Sequence, residues 1–250
     1  MTKFTDEQLM QRAWDVYEIK NVMGRHVYYH AYNMHRREME EIWPKLPENR
    51  ATASFGQNWG YQVGYDLIWR NYVEVNEKNN IRDLKLLREQ DPTVEVKPEN
   101  YMLGGMFMHC LTAPLIEVAA DGKTAQGMWY APGHITFTQA DGCEGIWMYE
   151  RYGADFIREP DGWKLWHLFI GTDFSLPAGK AMADEPVDQP PFDLNDEDEE
   201  TNMILTYPFE AYTSRYNFSA YPPVPQPYET FADAVSNGPE GNPRFQEVQS

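Results

Sequence analysis

Hydrophobic residues recur at helical spacing through the first 30 residues, and this periodicity predicts a long amphipathic helix. Thr5, followed by Asp6, Glu7 and Gln8, is typical of an N-cap with an acidic first turn. The helix is therefore expected to begin after Thr5 and to continue to about Asn33. The residues of its apolar stripe are Leu9, Ala13, Val16, Tyr17, Ile19, Val22 and Met23.

Two further helices are predicted before residue 77. The first runs from Arg36 to Trp43 and ends before Pro44, because proline lacks the N–H that a helix interior needs. The second covers roughly Gly60 to Asn76. Residues 77–100 are charged and less regular, and no helix is assigned to them. The inward residues of the third helix are Val63, Leu67, Ile68 and Tyr72.

At Tyr101 the sequence changes to strand-like runs. Four such runs occupy residues 101–120, 123–140, 145–159 and 162–174. Asp-Gly pairs near residues 121 and 161 are of the hairpin type. Helices followed by a meander of long antiparallel strands predict an α+β domain.

The chain after residue 178 has a different composition. It contains the acidic stretch DEPVDQPPFDLNDEDEE and the proline-rich stretch SRYNFSAYPPVPQPYETF, and such stretches do not form a core of their own. We therefore divide the chain into a domain at residues 1–178 and an extended arm at residues 179–250. Tyr and Phe between the prolines could anchor the arm on a neighbouring subunit, and disorder is the alternative.

Composition and charge narrow the class of protein. A chain of 250 residues with 42% hydrophobic content can bury one core without needing a second. The net charge of -18 and the small number of Lys and Arg, 21, argue against binding to nucleic acid. The N-terminus has charges where a signal peptide is apolar, and no run of about 18 apolar residues occurs. A cytoplasmic protein with no membrane contact and two reduced cysteines is therefore expected.

The stretch HVYYHAYNMH at residues 26–35 concentrates titratable rings on the first helix. An imidazole, with an unperturbed pKa of about 6.5, can both give and take a proton at neutral pH. The 14% aromatic content favours an aromatic small molecule as ligand. His26 and His30 have the spacing of a helical metal pair, but no Glu follows His26 and no third ligand is evident. The site is therefore expected to use neither a metal nor a cofactor.

Three segments resemble the SnoaL-like branch of the nuclear transport factor 2-like (NTF2-like) superfamily: EIKNVMGRHVYYHAYNMHRREMEEIW, MHCLTAPLIEVAADGKTAQGMW and YERYGADFIREPDGWKLWHL. The resemblance covers roughly residues 7–175. It implies a cone of three helices packed on a curved antiparallel sheet, with a small, mostly apolar ligand in the open end. It also implies a homodimer, with a trimer as the alternative. The fold hosts isomerases, dehydratases, cyclases and noncatalytic binders, so it does not define the function.

The resemblance also implies functional residues. In the family the histidine of the first long strand, here His109, is often an acid or base, and an Asp on the first helix often partners it. The equivalent part of this helix offers Tyr29, His30, Tyr32 and Asn33 and no carboxylate, so His and Tyr are expected in place of the familiar dyad. The candidate catalytic residues are His109, His30 and Tyr29. The candidate substrate-binding residues are Tyr101, Arg151, Asn33, His26, Trp59, Phe107, Trp147 and His167.

At a finer level the chain resembles bacterial lyases that deformylate lignin-derived diarylpropanes. This resemblance implies a cofactor-independent lyase that converts a 1,2-diarylpropane-1,3-diol into a stilbene and formaldehyde through a quinone methide. One alternative is a dehydratase or double-bond isomerase of a steroid-like or polyketide-like ring system. A second alternative, from a different class, is a noncatalytic small-molecule binding module.

Overall fold

The computed structural model describes residues 3–58, 60–139, 142–180, 204–205 and 221–243. Helix α1 (Asp6–Ala31) begins where the sequence predicts. The Thr5 side chain accepts a hydrogen bond from the Gln8 backbone N–H, and the Gln8 side chain accepts one from the Thr5 backbone. This capping box satisfies N–H groups that the first helical turn leaves unpaired.

Helix α2 (His35–Ile42) confirms the second predicted helix, and a short helix, α3 (Pro47–Thr52), follows it. Between α1 and α2 the backbone of Asn33 adopts a φ of 55°, which reverses the chain. The buried residues of α2 recur at i, i+3, i+4 and i+7, so one face of the helix enters the core. They are His35, Glu38, Met39 and Ile42.

The predicted bounds of the third helix, Gly60 and Asn76, are both wrong. Residues 54–63 form a hairpin of strands β1 (Ser54–Gln57) and β2 (Gly60–Val63). The helical run begins at α4 (Tyr65–Trp69), passes through a π-helical segment at Arg70–Val75 and ends with α5 (Asn76–Gln90). Helix α5 has one fully buried residue, Leu84, which explains why its sequence reads as charged and irregular.

The strands after residue 105 form the predicted meander. They are β3 (Met106–His109), β4 (Leu115–Val118), β5 (Thr124–Gln139), β6 (Gly142–Glu159) and β7 (Gly162–Pro177). The run at 101–120 is thus two strands, β3 and β4, which both pair with β5. Gly122 and Gly162 have positive φ at the two predicted hairpins, a conformation that favours glycine.

The complete sheet is mixed, whereas a wholly antiparallel sheet was expected. Its order is β3-β5-β6-β7-β1-β2-β8, where β8 (Ile204–Leu205) is a short edge strand. Strand β1 pairs in parallel with β7, and the other pairings are antiparallel. The parallel pair joins the β1–β2 hairpin to β7, the last strand of the meander.

The helices cover one face of the sheet. Tyr152, Ala154 and Phe156 alternate along β6, and each is at most 1% exposed. They belong to the same hydrophobic cluster as Ile19 and Met23 of α1. The core therefore lies between the helices and this face of β6, and polar side chains at its edge are held on rigid elements.

The opposite face of the sheet is covered by residues 221–243 of the same chain. Asn237 donates hydrogen bonds to Asp155 of β6 from both its backbone and its side chain, each at 2.7 Å. A Cβ at Gly153 of β6 would collide with Asn237, so glycine is required for this close approach. This part of the predicted arm packs on its own sheet.

Two aromatic residues, Tyr221 and Tyr228, anchor this segment and are less than 10% exposed. The other parts of the predicted arm, at 181–203, 206–220 and 244–250, lie outside the described residues, as does the acidic run that they include. Within the described part of the chain, no helix combines the length and the apolar character needed to cross a membrane.

Candidate active site

Four histidines from three elements meet between the helices and the sheet, and we call them the histidine cluster. Helix α1 contributes His26 and His30, one turn apart, while His35 begins α2 and His109 ends β3. His30 is central: its ring centroid lies 4.9 Å from that of His35, 5.7 Å from His109 and 6.1 Å from His26.

Aromatic rings surround His30 on its other sides. Tyr72 of the π-helical segment lies 5.9 Å from His30 and Phe107 of β3 lies 6.2 Å from it, both edge-on. Phe55 of β1 extends this wall behind Tyr72. The rings give the cluster an apolar boundary of the kind that accommodates an aromatic ligand.

His30 is held in its neutral form. Its Nδ1 is buried and has no hydrogen-bond partner. Burial lowers the pKa of His30 well below its ordinary value, and the nearby His35 lowers it further. At neutral pH the imidazole therefore has a lone pair that can accept a proton.

Glu38 of α2 is a buried carboxylate beneath the cluster. Its Oε1 lies 2.7 Å from Nδ1 of His26, and the two side chains are almost completely buried. Its Oε2 lies 3.6 Å from Nδ1 of His35, beyond hydrogen-bond distance. Burial raises the pKa of this carboxyl, but His26 and His35 outweigh that effect and lower it to about 2. Glu38 is therefore ionised.

A second carboxylate, Glu150 of β6, orients His109. Its Oε2 lies 3.0 Å from Nδ1 of His109 and accepts a hydrogen bond from the Tyr152 hydroxyl at 3.2 Å. Its Oε1 accepts a hydrogen bond from the Thr172 hydroxyl, also at 3.2 Å. Both oxygens are thus fixed, so the imidazole is held in one orientation with Nε2 left for a proton transfer.

The two tyrosines at the site remain protonated phenols. Burial, followed by the nearby carboxylates Glu38 and Glu150, raises the pKa values of Tyr72 and Tyr152 well above the ordinary value. These hydroxyls can donate a hydrogen bond, but they do not serve as bases at neutral pH.

Among the described residues, one group could hold a metal ion. It consists of His30, His35 and Glu38, whose nearest ligand atoms lie within 4.8 Å of one another. A tetrahedral zinc site, with bonds of about 2.0–2.1 Å, places its ligand atoms roughly 3.4 Å apart. The residue types suit a transition metal, and the side chains would have to draw together to bind one.

The structure brings four of the predicted residues together and places three others at the margins. His109, His30, His26 and Phe107 belong to the site or its wall. Tyr29 points away: its hydroxyl donates to Glu41 and its ring lies beneath Arg37. Asn33 accepts a hydrogen bond from Asn80 at the end of α1, and Tyr101 is half-buried in the turn before β3.

The remaining predicted residues do not join the cluster. Arg151 forms a buried ion pair with Asp173, with nitrogen and oxygen 2.8 Å apart. Trp147 is 43% exposed and lies against His134. Trp59 lies outside the described residues.

His167, the last predicted residue, lies on the face that residues 221–243 cover. Its Nδ1 is 2.8 Å from Asp155 and 3.2 Å from the Ser236 hydroxyl. In a catalytic Ser-His-Asp triad the Asp and the Ser contact different ring nitrogens. Here both contact the same nitrogen, so the arrangement is structural.

Sequence reasoning missed both carboxylates, Glu38 and Glu150. Glu38 follows His35 by three positions on the apolar face of α2, and this spacing was a usable signal. Glu150 shares its strand face with Tyr152 and Ala154, two and four residues further along β6. Its proximity to His109, 41 residues away, follows only from the way β3, β5 and β6 pair.

A family model described as the SnoaL-like domain matches residues 11–168. The match covers more than half of the chain, so the protein belongs to the SnoaL-like domain family. The expected SnoaL-like family is thereby confirmed, and the helices packed on a sheet confirm the α+β class. A comparison with curated protein sequences found no match.

Several solved structures are similar in fold. A candidate dehydratase of the NTF2-like family from Streptomyces avermitilis is 15% identical over 64% of this chain and 97% of its own, with a TM-score of 0.46. A candidate scytalone dehydratase from Novosphingobium aromaticivorans is 10% identical over 71% and 99%, with a TM-score of 0.47. A hexachlorocyclohexane dehydrochlorinase from Novosphingobium barchaimii LL02 is 14% identical over 70% and 97%, with a TM-score of 0.44. Such similarity concerns the fold alone, so function is argued from the site.

Proposed function

We propose that this protein is a cofactor-independent lyase that acts on an aromatic small molecule and transfers protons with its own side chains. The observation that supports the proposal best is the pair of His109 and Glu150, 3.0 Å apart, next to the neutral His30. A carboxylate-bound imidazole and a second imidazole of lowered pKa form an acid and a base in one apolar site.

His109 is the residue assigned to the leaving group. Glu150 holds the His109 ring through Nδ1, so Nε2 is the nitrogen from which this residue can protonate a departing hydroxyl. After it gives up the proton, the neutral imidazole can accept one in the next step. One side chain thereby serves as acid and then as base, while Glu150 keeps its ring in place.

His30 is assigned to the deprotonation of a phenol on the substrate. It is neutral because of its burial, its Nδ1 has no partner within the protein, and the rings of Tyr72 and Phe107 flank it. A phenol bound between these rings would bring its hydroxyl to an available base. Tyr29 and Arg151 take no part in this scheme, because other side chains hold them away from the cluster.

For the substrate and the reaction, we propose that the lyase deformylates a 1,2-diarylpropane-1,3-diol. Loss of the phenol proton drives cleavage of the benzylic carbon–oxygen bond, and the hydroxyl leaves as water with a proton from His109. The resulting quinone methide then accepts the electron pair of the carbon–carbon bond to the terminal carbon, as His109 takes the proton of the terminal alcohol. The stilbene phenolate takes back its proton from His30, so the products are a stilbene, formaldehyde and water and both histidines return to their starting forms.

The test is to incubate the metal-stripped protein with a diguaiacyl-propanediol while following stilbene absorbance and trapping formaldehyde. We expect stilbene and formaldehyde in equal amounts, both formed about 100-fold or more slowly by His109→Ala. Bound substrate with neither product would refute the lyase proposal and support a noncatalytic binding module.

A dehydratase is the second candidate, because loss of water needs only a carboxylate-held imidazole such as the His109–Glu150 pair. The two reactions differ in their carbon balance. A dehydratase product retains every carbon of its substrate and releases no formaldehyde, so mass spectrometry of the products separates the candidates.

A further inference from the structure

The face of α1 that points away from the core carries a row of exposed apolar residues, which we call the aromatic stripe. Its members are Met10, Trp14, Tyr17, Tyr28 and Tyr32, each between 55% and 68% exposed. At 100° per residue they lie within an arc of about 60°, opposite the buried residues of the helix. A solvent-facing helix surface is normally charged or polar, so this one requires a partner.

The stripe is arranged symmetrically about Asn21. Met10 and Tyr32 lie 11 residues on either side of it, and Trp14 and Tyr28 lie seven residues on either side. Tyr17, four residues before Asn21, is matched by Arg25, four residues after it. Asn21 and Arg25 are exposed and lie on the same face.

We propose that the aromatic stripe binds the stripe of a second copy of this chain, with the two α1 helices antiparallel across a twofold axis at Asn21. An isologous interface requires that a contact from i to j be matched by one from j to i. The arrangement about Asn21 meets this requirement: Trp14 meets the partner's Tyr28, and Met10 meets the partner's Tyr32.

Charge and ring chemistry support the same register. Tyr17 faces the partner's Arg25, and a guanidinium over an aromatic ring is attractive. Asn21 faces its own copy, where two amides can exchange hydrogen bonds. A parallel pairing would instead place Arg25 opposite the partner's Arg25, and like charges at close range repel.

The area is adequate for the centre of a dimer interface. Aromatic side chains bury about 150–250 Å² each, so eight half-exposed rings remove on the order of 1,000 Å² from water. Specific interfaces bury about 1,200–2,000 Å² in total, and the residues beside the stripe can supply the remainder. The histidine cluster lies on the opposite side of α1, so the inference does not rest on the proposed lyase activity.

The test is a charge substitution with a complementary rescue. Trp14→Glu buries two carboxylates in the interface and is expected to raise the dimer dissociation constant at least about tenfold by analytical ultracentrifugation. In the double variant Trp14→Glu/Tyr28→Lys, each Glu faces the partner's Lys, and dimerisation is expected to recover. These two positions are about 21 Å apart on one helix, so they cannot pair within a chain.

The matched control is Tyr130→Glu, which alters a tyrosine of similar exposure on β5 and is expected to leave the dimer intact. Circular dichroism checks that each variant folds. A monomeric or trimeric wild-type protein, a dimer unaffected by Trp14→Glu, or failure of the double variant to recover would each overturn the proposal. In the background Cys110→Ser/Cys143→Ser, Asn21→Cys should form an intermolecular disulfide, because the two positions face each other at the axis.

Discussion

At the residue scale, two buried carboxylates with different partners perform different tasks. Glu38 is surrounded by His26 and His35 and remains ionised, so it ties α1 to α2. Glu150 contacts one histidine, His109, and its other bonds come from hydroxyls. We therefore assign Glu38 to the stability of the cluster and Glu150 to the orientation of the proton-transferring residue.

Replacing His109 with Ala should lower kcat by about 100-fold or more, because a general acid or base contributes about that much to a rate. The matched control is His134→Ala, since His134 lies against Trp147 and outside the histidine cluster. The measurement is the rate of stilbene formation at saturating diol. If both variants turn over at the wild-type rate, His109 has no part in the slow step.

The lowered pKa of Glu38 predicts that part of the free energy of unfolding is lost in acid. Its pKa in the folded protein, about 2, lies below the ordinary value of 4.5, so the stabilisation is present above pH 4.5 and is lost as pH falls towards 2. The size is roughly 3–4 kcal/mol, since the shift is about 2.5 pKa units and each unit corresponds to about 1.4 kcal/mol. Urea unfolding of Glu38→Gln should show a smaller free energy of unfolding at pH 7 and a weaker decrease between pH 5 and pH 2.

The control for this prediction is Glu48→Gln, at an exposed position of α3. It should retain the wild-type dependence of stability on pH. An unchanged pH dependence in Glu38→Gln would show that the His26–Glu38 contact does not contribute this stability.

At the element scale, the segment 221–243 is a structural cover for the sheet. It supplies Asn237 and Ser236 to Asp155, a carboxylate with no exposed surface that also accepts from Gln126 and contacts His167. A charge buried so deeply is tolerated only when hydrogen bonds satisfy it. The segment is therefore needed by the strand on which it rests.

Asn237→Ala should lower the free energy of unfolding by about 1–3 kcal/mol, because one oxygen of Asp155 loses a buried donor. Val235→Ala, two residues away and 53% exposed, is the control and should change stability little. Chemical denaturation of both variants is the measurement. Equal stabilities would mean that solvent replaces the lost bond and that the cover is loosely held.

At the scale of the whole molecule, the sheet separates two buried polar networks. On one face of the sheet the helices cover the histidine cluster. On the other face the segment 221–243 covers Asp155 and His167. Only the first combines an unpartnered nitrogen, on His30, with flanking rings. The candidate chemistry therefore belongs to the helix-covered face.

Removal of metal should leave turnover unchanged. The Oε1 atom of Glu38 is already bound to His26, and the proposed reaction uses an internal electron sink. The measurement is kcat before and after dialysis against a chelator, together with the metal content of the purified protein. Lost activity that zinc or manganese restores would contradict the prediction and assign His30, His35 and Glu38 as ligands.

The elements that the sequence predicts well are those with a strong local pattern. Helix α1 has a capping box, and Ile19, Val22 and Met23 of its predicted stripe are buried, whereas Leu9 and Tyr17 of that stripe are exposed. The strands β5 to β7 have alternating residues and Asp-Gly turns. The β1–β2 hairpin was missed because its stability comes from pairing with β7, more than 100 residues later. Helix α5 was missed because Leu84 alone is fully buried along its length.

The sequence by itself determined the α+β class, the position of α1 and α2, and three of the four histidines of the cluster, because local periodicity and residue type carry that information; His35 was not among the predicted site residues. Tertiary structure alone decided which carboxylates meet those histidines. Glu150 reaches His109 through strand pairing, while Arg151, the next residue of β6, faces the opposite side of the sheet. A change of one position along a strand reverses the face, and only the folded sheet determines which face the helices cover.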